Sequence, residues 1–291
     1  INQVLFSMAS FSFRNIDISS IIDLERYPIL DLNNELTKKL IFQCQKDLES
    51  YGAVSLDGFV RTDKIDKMAD EVSSLCAFNR LEIVSPYQLF KREKEHENLP
   101  SDHPLNRRFV QDVNAVAADC IPQDSLLQQV YDSKIVADFL ARVLQIDNLF
   151  KYADEFQGIN VMYMYDGGSR AWHFDGSDFV VTLMLRPPKF GGEFEFVPFI
   201  RGERKGNNQF DERFDDIQKV YEGIYPTQIR QPKAGSLNLF SGLRSLHRVR
   251  TVYGPETRIM AVLSYDSKPD QKGQPRKNAQ LYGERVKKIY E

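Results

Sequence analysis

Three side chains that can bind a metal ion lie in the second half of the chain. His173 and Asp175 form an HxD pair, and residues i and i+2 of a β-strand point to the same face. His247, at the start of a later strand-like segment, supplies a second imidazole. Two neutral imidazoles and one carboxylate hold a divalent iron on one side and leave other positions open. The pattern predicts a metal site, which is also the catalytic centre, at His173, Asp175 and His247.

An arginine follows these residues at a position suited to bind a co-substrate. Arg258 opens the next strand-like segment, in which Arg258, Met260, Val262 and Ser264 alternate and are expected to face inward. A buried guanidinium matches a carboxylate with two parallel hydrogen bonds, which lysine cannot reproduce. We therefore expect Arg258 to bind the distal carboxylate of 2-oxoglutarate, with O2 as the second co-substrate.

Simpler interpretations exist for each of these residues. An HxD pair arises often by chance, and His173 could be a hydrogen-bonded core histidine beside a turn aspartate. Arg258 could pair with a carboxylate on the wall of the fold. His96 and His103 lie in a charged segment, and they either decorate a solvated loop or reach substrate from a lid over residues 81–106. The ordered succession of His173, Asp175, His247 and Arg258 favours the metal site.

Composition restricts the partners of the protein. Its 38 basic and 41 acidic residues give a net charge of -3, so there is no basic field for nucleic acid. No apolar run is long enough for a membrane span. Cys44, Cys76 and Cys120 are isolated, which is typical of a soluble protein in a reducing, intracellular and cytoplasmic setting. A small-molecule partner is expected, and the oligomeric state stays open.

The first half of the chain has helical periodicity and the second half has short β-rich runs. Apolar residues recur at helical spacing in 34–51 and 62–78, on either side of a short strand at 53–60, and two more helices are predicted at 124–132 and 134–145. Gly and Pro then separate eight short strands, which is typical of a jelly roll. The predicted strands are 159–165, 170–175, 179–186, 193–197, 227–230, 236–240, 246–250 and 258–265.

These patterns predict one domain with four parts. Residues 1–15 are an N-terminal extension or a cloning remnant, and 16–157 form a mostly helical support region. Residues 158–266 form the jelly-roll core, with a polar insertion at 201–222 that contains a helix at 213–222. The tail, 267–291, is expected to pack on the outside or to stay mobile. The predicted fold class is α+β.

The chain resembles the Fe(II)/2-oxoglutarate-dependent oxygenases, which have a double-stranded β-helix and an HxD…H…R signature. The resemblance covers residues 158–265, and more loosely the first half. The strings WHFDG (172–176), GGEFEFVP (191–198), PKAGSLNLFSG (232–242) and LHRV (246–249) are most similar to the branch of carrier-independent amino-acid hydroxylases and halogenases. The branch also resembles the algal kainoid synthases, which close a pyrrolidine ring.

This resemblance implies roles for further residues. Tyr163 and Thr182 are expected to touch the co-substrate, whereas Met260 stands where many relatives carry Ser or Thr. Halogenating relatives replace the carboxylate by Gly or Ala, so Asp175 disfavours halogenation. The implied reaction is oxidative decarboxylation of 2-oxoglutarate and hydrogen abstraction from a substrate carbon, ending in hydroxylation or ring closure. Candidate substrate-binding residues are Arg170, Arg186, Arg244 and Arg248. The alternative is a jelly-roll binding module that keeps the metal site without the reaction.

Overall fold

Two antiparallel β-sheets face each other, and helices cover the outer side of the larger sheet. The structure is a computed structural model, and it describes residues 12–76, 85–88, 98–100, 102–203 and 210–290. The chain forms a jelly roll with added helices, which confirms the predicted α+β fold class.

The larger sheet has six strands, each antiparallel to its neighbours. These strands are β1 (Ala53–Leu56), β4 (Asn114–Val116), β6 (Ile159–Met164), β8 (Val180–Arg186), β12 (Leu237–Phe240) and β15 (Arg258–Leu263). Their order across the sheet is β1, β12, β8, β15, β6, β4.

The smaller sheet has four strands in the order β11, β10, β13, β7, again antiparallel. They are β7 (Arg170–His173), β10 (Phe194–Val197), β11 (Gln228–Arg230) and β13 (Leu246–Val249). All eight strands predicted in the second half are present. Sequence analysis did not predict β4 of the larger sheet. It also did not predict three short two-stranded pairs. These pairs are β2 (Ser85–Gln88) with β3 (Arg108–Gln111), β5 (Phe150–Lys151) with β16 (Tyr265–Asp266), and β9 (Phe190–Gly191) with β14 (Val252–Tyr253).

Side chains alternate between the two faces of the larger sheet, and the two faces therefore differ in what they contact. On β15, Arg258, Met260 and Val262 face the space between the sheets, whereas Ile259 and Ala261 belong to the main hydrophobic core. β6 and β8 alternate in the same way. One face of this sheet therefore lines a cavity while the other packs against helices.

The helices on the outer face begin and end at residues suited to those positions. Helix α1 (Glu35–Tyr51) starts at Asn34, whose side chain accepts a hydrogen bond from the Leu36 N–H at 2.9 Å. It ends at Gly52, which adopts a left-handed φ of 66°. The remaining helices of this layer are α2 (Thr62–Cys76), α3 (Leu126–Asp132) and α4 (Lys134–Leu144), all close to the predicted bounds.

The segment 81–106 was predicted to be a loop or lid, and most of it, with His96, lies outside the described residues.

The insertion at 201–222 contains helix α5 (Phe214–Tyr221), as predicted. His103 is half-buried, and its ring packs against the ring of Phe214 with centroids 5.3 Å apart. Among the helices of the described ranges, none combines the length and hydrophobicity needed to cross a bilayer.

The tail differs from the expectation, because it is helical and contributes to the cavity wall. It contains α6 (Pro275–Tyr282) and α7 (Glu284–Tyr290), and Lys272, Lys277 and Leu281 line the cavity. Neither helix was predicted, since the segment carries few apolar residues at helical spacing.

A buried carboxylate attaches this tail to the core. Asp154 accepts hydrogen bonds from the N–H groups of Phe156, Gln157 and Gly273, each at 2.9 Å, and from Asn278 Nδ2 at 3.1 Å. The side chain of Gln157 also hydrogen bonds to Asn278. Asp154 therefore connects the chain before β6 to the segment that leads into α6.

We expect Asp154→Ala to lower the free energy of unfolding by about 2–4 kcal/mol, because it leaves several buried donors without an acceptor. Chemical denaturation measures the change. Asp138→Ala is the control, since Asp138 pairs with Lys134 on an exposed helix face and its loss costs about 0.5 kcal/mol. Equal losses in the two variants would contradict this role for Asp154.

Candidate metal centre and its cavity

Cross-strand pairing brings the two imidazoles together. His173 on β7 lies directly opposite His247 on β13, and their ring centroids are 4.0 Å apart. Asp175 follows the end of β7, and its backbone N–H donates to the Gly242 carbonyl at 3.0 Å. Its carboxylate oxygens lie 3.7 Å from His173 Nε2 and 3.3 Å from His247 Nε2.

Backbone carbonyls orient both rings. Nδ1 of His173 donates to the Ala171 carbonyl at 2.7 Å, and Nδ1 of His247 donates to the Ser245 carbonyl at 2.9 Å. A carbonyl oxygen only accepts hydrogen bonds, so Nδ1 carries the proton of the neutral ring and Nε2 presents a lone pair. Both Nε2 atoms are directed toward the carboxylate.

The ligands have the protonation states that a metal requires. Burial lowers the pKa of His173 well below its usual value, and the neighbouring His247 and Arg170 act in the same direction. Burial alone would raise the pKa of Asp175, but His247, His173 and Arg170 outweigh it and hold this pKa below its usual range. The site therefore offers neutral His173 and ionised Asp175 at neutral pH.

This donor set fits a divalent iron. One ligand atom from each of His173, Asp175 and His247 lies within 4.8 Å of the other two. Adjacent ligands of an octahedral ion with bonds of about 2.1 Å are about 3 Å apart, close to the separations observed. Two imidazoles and one carboxylate on one face are the ligands of non-haem Fe(II) sites that react with oxygen.

A glycine makes room for the carboxylate. A Cβ on Gly242 would overlap Oδ2 of Asp175, so no larger residue fits beside the ligand in this arrangement. Gly242 thus positions Asp175 both by its carbonyl and by its lack of a side chain.

Arg258 is buried at the closed end of the same space. It is 2% exposed, its Nε donates to the Gly192 carbonyl at 3.2 Å, and its Nη2 lies 3.6 Å from the Met260 sulfur. Nη1 has no hydrogen-bond partner within the described part of the chain. Burial lowers the pKa of Arg258 to about 10, so it stays charged at neutral pH. A buried cation with unused donors is suited to bind a carboxylate.

One cavity of about 510 Å³ connects these groups. His173, Asp175, His247 and Arg258 all line it. Thr182 on β8 also lines this cavity, which a residue that contacts the co-substrate must do. Its hydroxyl accepts a weak hydrogen bond of 3.5 Å from Asn238 Nδ2.

The structure corrects the prediction for Tyr163. Tyr163 lies on the other face of β6, where its hydroxyl donates to the Val72 carbonyl of α2 at 2.8 Å, and it does not line the cavity. Its neighbours Met162 and Met164 do. A difference of one residue changes the face of a strand, which explains the error.

Three of the four candidate arginines also point elsewhere. Only Arg170 lines the cavity. Arg186 pairs with Asp70 at 2.6 Å, Arg244 lies over the Phe199 ring at 5.2 Å, and Arg248 pairs with Glu195 at 2.7 Å. The predictions for Arg186, Arg244 and Arg248 are wrong, because these side chains find partners outside the cavity.

The cavity also contains polar residues that the sequence analysis did not select. Asn160 is buried, its Nδ2 donates to the Gln157 carbonyl at 3.1 Å, and its Oδ1 has no partner among the described residues. Arg230 lines the cavity from β11. Alternation along β6 could have indicated Asn160 once Met162 was placed inside, whereas nothing in the sequence marks Arg230 or the tail lysines.

Comparison with known proteins gives one family match. The sequence profile of the family described as Halogenase D matches residues 36–282, which include both the helical half and the β-sheets. No curated protein sequence is significantly similar to the chain.

Solved structures share the fold at low sequence identity. The non-heme alpha ketoglutarate dependent carbocyclase SnoK from nogalamycin biosynthesis aligns with a TM-score of 0.53 and 11% identity over 77% of this chain and 82% of that one. AviO1 from Streptomyces viridochromogenes Tue57 aligns with a TM-score of 0.52 and 12% identity over 80% and 97%. The epimerase SnoN, solved with Fe3+ and alpha ketoglutarate, aligns with a TM-score of 0.51 and 12% identity over 78% and 84%.

We expect Gly242→Ala to weaken metal binding by about 10- to 100-fold, because the new methyl group must displace the Asp175 carboxylate. Titration of the anaerobic protein with Fe(II) measures the affinity. Gly176→Ala is the matched control, since a Cβ at Gly176 meets nothing within 4 Å. Unchanged affinity in Gly242→Ala would show that Asp175 is not a ligand.

Proposed function

Because this chain belongs to the Halogenase D family, within the Fe(II)- and 2-oxoglutarate-dependent oxygenases, we propose that it oxidises an unactivated C–H bond of a small amino-acid-like substrate. The enzyme is an oxidoreductase that uses Fe(II) and 2-oxoglutarate. The outcome is hydroxylation or radical ring closure of the kainoid-synthase type. The observation that carries the proposal is that the three metal ligands and Arg258 line one cavity. Arg258 is buried, and its Nη1 has no hydrogen-bond partner among the described residues.

Each residue of the centre has a defined task. His173, Asp175 and His247 hold the metal, and the Nδ1 hydrogen bonds keep both rings in the ligating tautomer. Arg258 binds the distal carboxylate of 2-oxoglutarate, and Thr182 contacts the same co-substrate. Bound Fe(II), with 2-oxoglutarate and O2, supplies an oxidant that abstracts a hydrogen atom from carbon.

The carboxylate supports oxygenation over halogenation despite the family name. Halogenating relatives leave the position of Asp175 without a carboxylate, so that chloride can bind the iron. Here Asp175 lies 3.3 Å from His247 Nε2, and Gly242 leaves space for it. Chloride would have to displace a charged ligand that the chain positions by a backbone hydrogen bond.

Hydroxylation and ring closure differ in their stoichiometry. Hydroxylation converts 2-oxoglutarate, O2 and R–H into succinate, CO2 and R–OH. Ring closure removes two hydrogen atoms from the substrate, and the second oxygen atom leaves as water.

The first experiment incubates the protein with Fe(II), 2-oxoglutarate and O2 in the presence of amino acids and kainoid precursors. We expect succinate, together with a product that has gained one oxygen atom or lost two hydrogen atoms in mass spectrometry. Asp175→Ala should form at most a trace of this product. Iron binding without succinate from any candidate would favour the binding module, and a chlorinated product would favour halogenation.

A second experiment tests the role of Arg258. Arg258→Lys keeps a charge but loses the two parallel donors, so we expect binding of 2-oxoglutarate to weaken by about 2 kcal/mol, roughly thirtyfold. Calorimetry with Zn(II) in place of iron measures this affinity without turnover. Arg244→Lys, outside the cavity, should bind 2-oxoglutarate like the wild type. An unchanged affinity in Arg258→Lys would assign the co-substrate to another cation.

A further inference from the structure

The cavity is strongly basic although the whole chain has a net charge of -3. Among the described residues that line it, Asp175 is the single acidic one, and it is a metal ligand. Bound iron would neutralise that carboxylate, and 2-oxoglutarate would occupy Arg258. The other basic residues that line the cavity are Arg170, Arg230, Lys233, Lys272 and Lys277.

Arg230 differs from the surrounding arginines because it lacks an ionic partner. In the described ranges no carboxylate lies within 4.0 Å of its guanidinium, whereas Arg248 and Arg250 both pair with Glu195 at 2.7 Å. Lys233, also at the cavity, pairs with Asp57. Arg230 and Arg258 are thus two cavity arginines without a salt bridge to the protein.

Strand register places Arg230 on the cavity face of the smaller sheet, two strands away from His247. Phe194 on β10 lies opposite both Arg230 and Val249. Val249 is two residues from His247 on the same face of β13, so the two rows are about 7 Å apart. A guanidinium in this row can hold one end of a small molecule while another part of it reaches the metal.

Local contacts hold the Arg230 side chain in place without a carboxylate of a described residue within 4.0 Å. Its Nη2 donates to the Ala53 carbonyl at 3.1 Å, and its guanidinium carbon lies 5.7 Å from the centre of the Phe196 ring. Ala53 begins β1, so this contact connects the open edges of the two sheets. A guanidinium has five N–H donors, and among the described residues one of them makes a hydrogen bond here. Burial lowers the pKa of Arg230, and the carboxylates of Asp47 and Asp57 act in the opposite direction.

We propose that Arg230 binds a carboxylate of the primary substrate and selects an acidic, amino-acid-like molecule over its neutral analogue. This inference rests on the proposed function, since it assigns the second guanidinium of the cavity to the molecule that is oxidised. Arg258 holds the co-substrate, and Arg230 holds the substrate.

The test uses two probes that differ in one group. L-Glutamate and L-glutamine have a carboxylate and a carboxamide at the same position. Calorimetry measures the binding of each to the full chain loaded with Zn(II) and saturated with 2-oxoglutarate. We expect the wild type to bind L-glutamate at least about tenfold more tightly than L-glutamine, and Arg230→Gln to lose this preference while it keeps its affinity for 2-oxoglutarate.

Two further variants separate binding from folding. Arg244→Gln removes an arginine that also bonds to a carbonyl and lies over an aromatic ring, but outside the cavity, and it should keep the preference. Arg230→Lys retains the charge and should restore part of the preference if Arg230→Gln is poorly folded.

The proposal is overturned if the wild type binds L-glutamate no better than L-glutamine, or binds neither. It is also overturned if Arg230→Gln keeps the preference, or if it loses affinity for 2-oxoglutarate instead. Failure of the proposed function would appear separately, as a wild type that forms no succinate with Fe(II), because the binding assay needs no turnover.

Discussion

The pairing of His173 with His247 across β7 and β13 is the constraint on which the site depends. Hydrogen bonds of the ladder set the spacing of the two imidazoles, and each ring is then oriented by the carbonyl two residues before it. A slip of one residue in this register would turn one imidazole away from the metal. The carboxylate comes from outside the ladder, and its position depends on the backbone of Gly242. The centre is therefore assembled from one sheet and one loop that closes against it.

Charge inside the cavity is organised differently from charge on the surface. Outside, Arg248 and Arg250 both pair with Glu195. Inside, Arg258 and Arg230 donate hydrogen bonds to backbone carbonyls, and no carboxylate of a described residue lies within 4.0 Å of either guanidinium. Burying such a cation without a partner is unfavourable, and a bound anion relieves that cost. The cavity thus offers two guanidinium groups, Arg258 and Arg230, to anionic molecules.

Sequence patterns predicted the parts of the site that follow from local rules. The HxD pair, the later histidine and the alternation of β15 placed four groups in one cavity, and all eight strands of the core were identified. The prediction for Tyr163 was wrong because successive residues of a strand face opposite sides. No motif in the sequence fixed which residues of β6 face the cavity. Arg186, Arg244 and Arg248 failed because an arginine in a strand can face either side, and only tertiary partners decide. Arg230 required knowledge of the edge pairing between β11 and β10, which no local pattern contains.

The C-terminal segment that follows β16 has a consequence for how this protein can change. Its lysines border the cavity, yet it is joined to the core through Asp154 and Asn278 rather than through a sheet. Replacing or trimming this segment would remove the donors that Gly273 and Asn278 offer to the buried Asp154 carboxylate. It would also remove Tyr282 and Val286 from their buried cluster with Ala115 of β4, so a change in this segment alters the cavity wall and the packing of the core together.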